Sequence, residues 1–431
     1  MPRARRHIPG LSEMNPHPDL AVIGAGPAGL AAAIRAREAG LEQVVVLERA
    51  ERPGGILLQC VHNGFGLQYF GEDLTGPEYS RRFVQKARDL GVGFLLDTTV
   101  LALSPGKQLV AASRKGLLVL EPGAVVVAMG CRERTRSWAG IPGSRPAGIF
   151  TAGSAQRLIN VEGYLPGRRV VILGSGDIGM IMARRLTLEG CLVEAVVEIM
   201  PYVSGSPRNE VQCLRDLSIP LLLEHTAVEI HGRERVEGVT IARVNGDKRP
   251  VAGTERRIEC DTLLLSVGLV PENELSIMAG IELDPLTGGP LVDDRMETSA
   301  PGIYACGNVV HVHDLVDYVT WAGEAAGAGA ASHVANRGAA GRKGRISVKA
   351  GKNVRYVVPQ AIVGGQDATL YLRVAEPDDD VELRVGQSLL RRRLKRVRPS
   401  EMLTLKLPAQ SLEGLHGQLV VSCVGRQRAG A

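Results

Sequence analysis

The stretch Gly24-Ala25-Gly26-Pro27-Ala28-Gly29 recurs 150 positions later as Gly174-Ser175-Gly176-Asp177-Ile178-Gly179. A glutamate follows each first glycine by 24 residues (Glu48, Glu198), and a further glycine follows by 16 (Gly40, Gly190). Apolar runs lead into both copies, Val22-Ile23 and Val170 to Leu173, and read as buried parallel strands. In a strand–turn–helix setting the first glycine permits the tight turn. The second lets backbone approach a pyrophosphate, and the third lets helix pack on strand. The helix N-terminus then offers N–H groups and its dipole to phosphate charge. The spacing predicts helices over 27–39 and 177–189, ended by Gly40 and Gly190 as C′ residues. Second strands are expected at 44–47 and 192–197. Glu48 and Glu198 close them, placed to accept hydrogen bonds from ribose hydroxyls. A glycine-rich turn without a ligand is the alternative for either copy. Two matched copies argue for two dinucleotides held at once, with electrons passing between them.

A chain of 431 residues leaves room for two or three domains. No apolar run reaches the roughly 18–20 residues of a bilayer span, so no integral membrane segment is expected. The start carries Arg3, Arg5 and Arg6, but the apolar stretch after it is the first strand and helix. Residues 1–17 therefore read as a mobile leader, not a signal peptide. Seven cysteines (60, 131, 191, 213, 260, 306, 423) form no C-x-x-C pair, which fits a reduced, cytoplasmic protein. The net charge of +5 is uneven: residues 337–431 hold 18 Lys/Arg against 8 Asp/Glu. The run Arg391-Arg392-Arg393-Leu394-Lys395-Arg396-Val397-Arg398 reads as a solvated edge strand protected by charge. Docking to an acidic protein partner is the alternative. Nucleic acid is disfavoured because no aromatics interleave for stacking. Short alternating runs in the tail, such as Leu370-Leu372-Val374 and Leu403-Leu405-Leu407, predict a small β-sandwich.

Together these motifs resemble the pyridine nucleotide-disulfide oxidoreductase superfamily over about residues 18–335. Glu48 to Gly55 resembles its acidic-residue-to-Gly-Gly segment. Val125 to Gly130 resembles its A-T-G strand, with Met129 for threonine. Thr298 to Asn308 resembles its closing motif, with Asn308 where an aspartate usually binds the flavin side. The resemblance implies an α/β fold of two Rossmann-like dinucleotide-binding domains, one inserted in the other. The FAD domain would span 18–150 and 270–336 and the NAD domain 151–269, with a β-sandwich-like domain over 345–431. It implies FAD at Gly24, Gly26, Ala28, Gly29, Glu48, Arg49, Gly55, Val100, Gly130, Gly307 and Asn308. It implies NAD(H) at Gly174, Gly176, Asp177, Ile178, Glu198 and Gly268. Glu198, followed by Ile199, Met200 and Pro201 and not by arginine, favours NADH over NADPH.

The C-x-x-x-x-C of the family's disulfide reductases falls here on Leu57 and His62, with Cys60 alone between them. Dithiol chemistry is therefore expected to be absent. His62 becomes a flavin-side catalytic candidate, the alternative being a structural histidine in a packed turn. The segments 54–80, 130–134 and 306–314 resemble a narrower branch of NAD(FAD)-dependent dehydrogenase subunits. That branch partners glycerol-3-phosphate, proline, hydroxyproline or opine dehydrogenases and hydrogen cyanide synthase. It implies an oligomer with a second flavoprotein dehydrogenase subunit, and hydride transfer between NAD(H) and FAD. A stand-alone NADH oxidase and a non-catalytic nucleotide-binding scaffold are the alternatives. His311, His313 and Asp314 allow a metal reading. With no further ligand visible, lining the isoalloxazine, or capping the next helix through Asp314 or Asp317, is preferred.

Overall fold

The computed structural model describes residues 15–336, 345–386 and 389–425. The leader up to residue 14 and the Gly/Arg/Ala-rich linker from residue 337 lie outside the described residues.

The first fingerprint is built as the spacing requires. Strand β1 (Leu20–Ile23) is buried along its length and runs into helix α1 (Pro27–Glu38), which is followed by β2 (Val44–Leu47). Proline at the first turn of α1 has a preset φ and no N–H to lose there. On the far side of β1 lies β3 (Ala124–Val127). The second fingerprint repeats this with β4 (Arg169–Leu173), α2 (Asp177–Leu188), β5 (Leu192–Val197) and β6 (Thr262–Leu265). Strand β7 (Ile303–Ala305) and the 20-residue helix α3 (Val316–Ala335) then return to the first unit.

The two five-stranded parallel sheets have the same layout. One reads β7-β3-β1-β2-(93–95), the other (149–151)-β6-β4-β5-(221–222). In the first sheet the outer strand β7 comes late in the chain. In the second, Ile149–Thr151 comes early. That difference is the mark of one unit inserted in another. The chain passes between them through an antiparallel pair, Cys131–Glu133 against Leu269–Pro271. Each sheet also carries a three-stranded antiparallel meander, 98–120 and 225–259. The Ile141–Pro146 stretch runs beside the second meander, where Gly143 bridges Ile230.

Small residues set the closest packing. Helix α3 lies along α1, where a side chain at Gly323 or Gly327 would strike the backbone oxygens of Ala28 or Ala32. Ala31, Ala32 and Ala33 of α1 are fully buried. The close approach replaces bulky side chains with backbone dispersion contacts.

The C-terminal part is a sandwich. A five-stranded sheet and a three-stranded sheet (Val354–Val358, Ala368–Val374, Leu403–Leu407) share one apolar core. The basic strand Leu390–Val397 sits at the outer edge of the larger sheet, where its arginines are solvated. Tyr356 and Val358 of the sandwich enter the core of the first unit. The ion pair Arg345–Asp293 (2.5 Å) and a bond from Val363 N to Asp294 Oδ1 (2.7 Å) add polar ties.

Candidate functional site

Both fingerprint turns present glycine backbone at the C-terminal ends of parallel strands, where open α/β sheets take ligands. Gly24 and Gly174 have φ of 105° and 98°, a region that favours glycine. A side chain at Gly29 or Gly179 would run into the carbonyl of its own first glycine. The third glycine is thus a packing residue in both copies.

Around the first turn the sequence-predicted residues converge. A Cβ at Gly55 would lie 2.8 Å from Gly26 Cα, and one at Gly307 would lie 2.8 Å from Ala28 Cβ. The Gly-Gly segment, the first fingerprint and the closing motif therefore meet at the start of α1. Gly26 caps α1 without a side chain, and no acidic residue occupies the first turn. Apart from its immediate chain neighbours, no described residue comes within 4 Å of a Cβ built on Gly26 or on Gly130. This open cradle beside uncapped helix amides fits a dinucleotide pyrophosphate. Glu48 stands at its rim, 9 % exposed. Its Oε2 accepts from Ala25 N (2.8 Å) and its Oε1 from Ala50 N (2.9 Å). Arg49 is exposed, and Val100 is half-buried on the neighbouring meander.

The second turn copies this frame and then departs from it. Glu198 Oε2 accepts from Ser175 N and Oε1 from Met200 N, both at 2.9 Å. Ser175 Oγ donates a third bond to Glu198 Oε2 (2.6 Å) and accepts from Ser204 N (2.9 Å). Asp177, in the first turn of α2, accepts from Ser206 N (2.8 Å) and Asn209 Nδ2 (2.7 Å). The 204–206 segment therefore crosses the N-terminus of α2, and a Cβ at Gly205 would lie 2.8 Å from Asp177 N. This mouth is narrower than the first: a Cβ at Gly176 already meets Ser266 Oγ at 3.3 Å. Ile178 is half-buried behind it, and Gly268 (φ 104°) packs beside Arg134. An open cleft of about 290 Å³, lined by Arg136, Arg145, Phe150, Thr151 and Leu265 among others, lies at the same ends of β6 and of strand Ile149–Thr151.

Between the units lies the segment that follows Gly54-Gly55. Gly55–Gln59 forms a short 3₁₀ turn, and Leu57 is buried in the first core. Gln59 reaches the second unit, donating to Gly153 O (2.9 Å) and Gln156 Oε1 (3.0 Å), while Asn160 donates back to Gln59 O (2.8 Å). Cys60 is buried there, and burial pushes its thiol up to about 12, far from a reactive thiolate. His62 lies beyond the turn, half-buried, its Nδ1 2.9 Å from Asn63 O and its ring 5.1 Å from Phe65. Each described cysteine is a free thiol.

The capping reading for Asp314 and Asp317 needs correction. Leu315 is the N-cap residue of α3, and no side chain caps the helix. Asp314 pairs with Arg373 of the sandwich and accepts from Met402 N (2.6 Å). Asp317 accepts from Tyr69 N (2.7 Å). His311 and His313 lie on irregular chain, not on a strand, with ring centroids 4.0 Å apart. Among the described residues no group of three or more His, Cys, Asp or Glu could hold a metal. Long-range docking of the sandwich gives these residues other partners, and nothing local in the sequence signals it.

The fold pairs two strand–turn–helix units of the dinucleotide-binding type. The chain belongs to the pyridine nucleotide-disulphide oxidoreductase family, whose model matches residues 18–335. Its cofactors are FAD and a nicotinamide dinucleotide. It is 28 % identical over 335 residues to an opine oxidase subunit of Agrobacterium tumefaciens (strain Ach5), covering 70 % of this chain and 63 % of that one. It is 26 % identical over 317 residues to hydrogen cyanide synthase subunit HcnB of Pseudomonas protegens, covering 67 % and 65 %. The chain thus spans about three fifths of the length of its opine oxidase relatives. Among solved structures, thioredoxin reductase of T. acidophilum shares the fold, with a TM-score of 0.62 at 23 % identity, over 74 % of this chain and 99 % of that one. No described helix is long and apolar enough to cross a membrane.

Proposed function

We propose that this chain moves a hydride between NADH and FAD and exchanges electrons with a partner dehydrogenase, without a redox disulfide. The carrying observation is the pair of strand–turn–helix units with glycine turns on sheets of the same layout, with no cysteine pair at the Gly55–Gln59 junction between them. FAD would lie on Gly24, Gly26, Gly55, Gly130 and Gly307, and NADH on Gly174, Gly176 and Glu198. The cofactors supply the hydride chemistry; the protein binds, orients and tunes them. Leu57 and the buried Cys60 leave no thiolate at the junction to relay electrons. Relatives named as subunits of opine oxidase, sarcosine oxidase and hydrogen cyanide synthase support a second, partnering subunit.

Glu198 is the basis for NADH preference, because a carboxylate accepts from a 2′-hydroxyl and repels a 2′-phosphate. Its three protein bonds hold it rigidly at the strand end. Glu198→Ala is expected to reduce the NADH-over-NADPH ratio of flavin reduction rates about tenfold, the scale of one hydrogen bond to a charged group. Anaerobic stopped-flow mixing of the FAD-loaded chain with each nucleotide measures it. An unchanged ratio would remove the role given to Glu198.

One observation favours a second reading, a non-catalytic nucleotide-binding scaffold. The Ser204–Ser206 segment lies across the α2 N-terminus, and Asp177 places a carboxylate where a phosphate would come. The same experiment separates the two. Rapid anaerobic bleaching by NADH excludes the scaffold, and absent bleaching with tight ATP binding excludes hydride transfer. Catalytic NADH consumption with oxygen by the isolated chain would point instead to an NADH oxidase.

A further inference from the structure

Three parts of the chain converge behind the Gly307–Asn308 turn. From the sandwich, Tyr356 and Tyr371 pack against the His311 ring, and Tyr371 against His313, at centroid distances of 5.9, 5.7 and 5.5 Å. Arg373 pairs with Asp314, which also accepts from Met402 N. These contacts bury His311 and His313 to 2 % and 8 % exposure. The sandwich therefore clamps residues 311–314 in one conformation.

His313 in turn grips Asn308. Its backbone N–H donates to Asn308 Oδ1 at 3.1 Å, and its ring Nδ1 lies 3.2 Å from the same oxygen. A backbone N–H can only donate, so the atom it meets is the carbonyl oxygen of the amide. The amide nitrogen therefore points away from His313, 3.8 Å from Cys131 Sγ, a weak acceptor, and among the described residues it has no other hydrogen-bond partner. The same logic places the proton of the His313 ring on Nδ1. Nε2 is buried and has no hydrogen-bond partner among the described residues. Burial holds His313 down to about 3, opposed by a hydrogen bond to the His311 backbone and aided by the nearby Arg373 charge, so the ring stays neutral at neutral pH.

We infer that Asn308 turns a hydrogen-bond donor toward the flavin site where an aspartate would turn a charged acceptor, and that His313 is the positioning residue that fixes this orientation. The inference rests on assigning the first cradle to FAD. Two-electron reduction increases the negative charge on the cofactor. A neutral donor favours that charge, and a carboxylate in its place opposes it. Asn308 and His313 thereby raise the affinity for reduced over oxidised FAD, and the C-terminal sandwich maintains the arrangement from outside the family region.

The test uses the full chain reconstituted with FAD. Oxidised-FAD affinity is read by fluorescence titration and the midpoint potential by anaerobic titration against a reference dye. Asn308→Asp is expected to bind FAD and to lower the ratio of reduced to oxidised affinity about tenfold, a fall of about 30 mV for two electrons. His313→Ala keeps the backbone donor and loses the ring donor, and should shift the potential the same way by less. It also carries the test should N308D fail to fold. An unchanged potential in N308D overturns the donor assignment. A shift in N308D with none in H313A overturns the positioning role. Wild-type chain that takes up no flavin overturns the cradle assignment and this inference together, whereas unchanged potentials with flavin bound overturn this inference alone.

Discussion

Gly26→Ala is expected to give a chain that folds normally and loses most of its FAD. The two effects separate because of where Gly26 sits. Its backbone is in the ordinary extended region, φ −75° and ψ −178°, which any residue adopts. Apart from its chain neighbours, no described residue comes within 4 Å of the Cβ that alanine would add. Folding should change by about 1 kcal/mol or less, the scale of exchanging an N-cap residue. In the bound state that methyl projects into the cradle proposed for the pyrophosphate. Overpacking there by about 1–3 kcal/mol weakens FAD roughly 5- to 150-fold. Gly29→Ala is the opposite control: its Cβ would strike the Gly24 carbonyl, so the fold itself should fail. Thermal melting of the flavin-free chains and FAD titration measure both. Wild-type FAD affinity in G26A would show that the pyrophosphate lies elsewhere.

Removing one member of the Arg373–Asp314 pair is expected to destabilise the chain without preventing it from folding. The guanidinium also donates to Tyr356 Oη (3.1 Å) and to Ser400 O (2.7 Å), so it is buried in a full set of acceptors. Its side chain is 15 % exposed and that of Asp314 27 %. Arg373→Ala leaves the partly exposed Asp314 carboxylate with only the Met402 N–H, at a cost of about 2 kcal/mol, below the range for a fully buried pair because solvent reaches Asp314. Replacing both partners, Arg373→Met with Asp314→Leu, should recover much of that loss, because no charge is left uncompensated. About 1 kcal/mol should remain from the unpaired Met402 N–H. Denaturant unfolding of the three proteins tests this. A double variant as unstable as R373A would mean that lost packing, not the stranded charge, dominates.

Much of the fold is readable because its signals are local. The two glycine turns, their helices and second strands fall within a residue or so of the expected spans, since turn geometry and strand burial act over a few neighbours. Strand Leu109–Ser113 is not legible in the same way, because Ala111, Ala112 and Ser113 carry little strand preference. It is recruited between two stronger neighbours in its meander. The short Cys131–Glu133 strand is equally silent, since three residues have no period to detect. Within the site, the first cradle follows from its glycines. Arg49 shows the reverse case: its sequence position beside Glu48 is suggestive, yet its side chain is exposed.

The residues themselves determined two dinucleotide turns, one inserted unit, a β-rich tail and the want of a cysteine pair after Gly54-Gly55. Each of these depends on spacing along the chain. Only the tertiary structure decided that the tail docks on His311–Asp314, that Asn308 faces His313 with its oxygen, and that Ser204–Ser206 crosses the second turn. Those contacts join surfaces far apart in sequence, or depend on which of two amide ends a rigid neighbour selects. Burial and donor geometry settle such choices, and neither exists until the chain has packed.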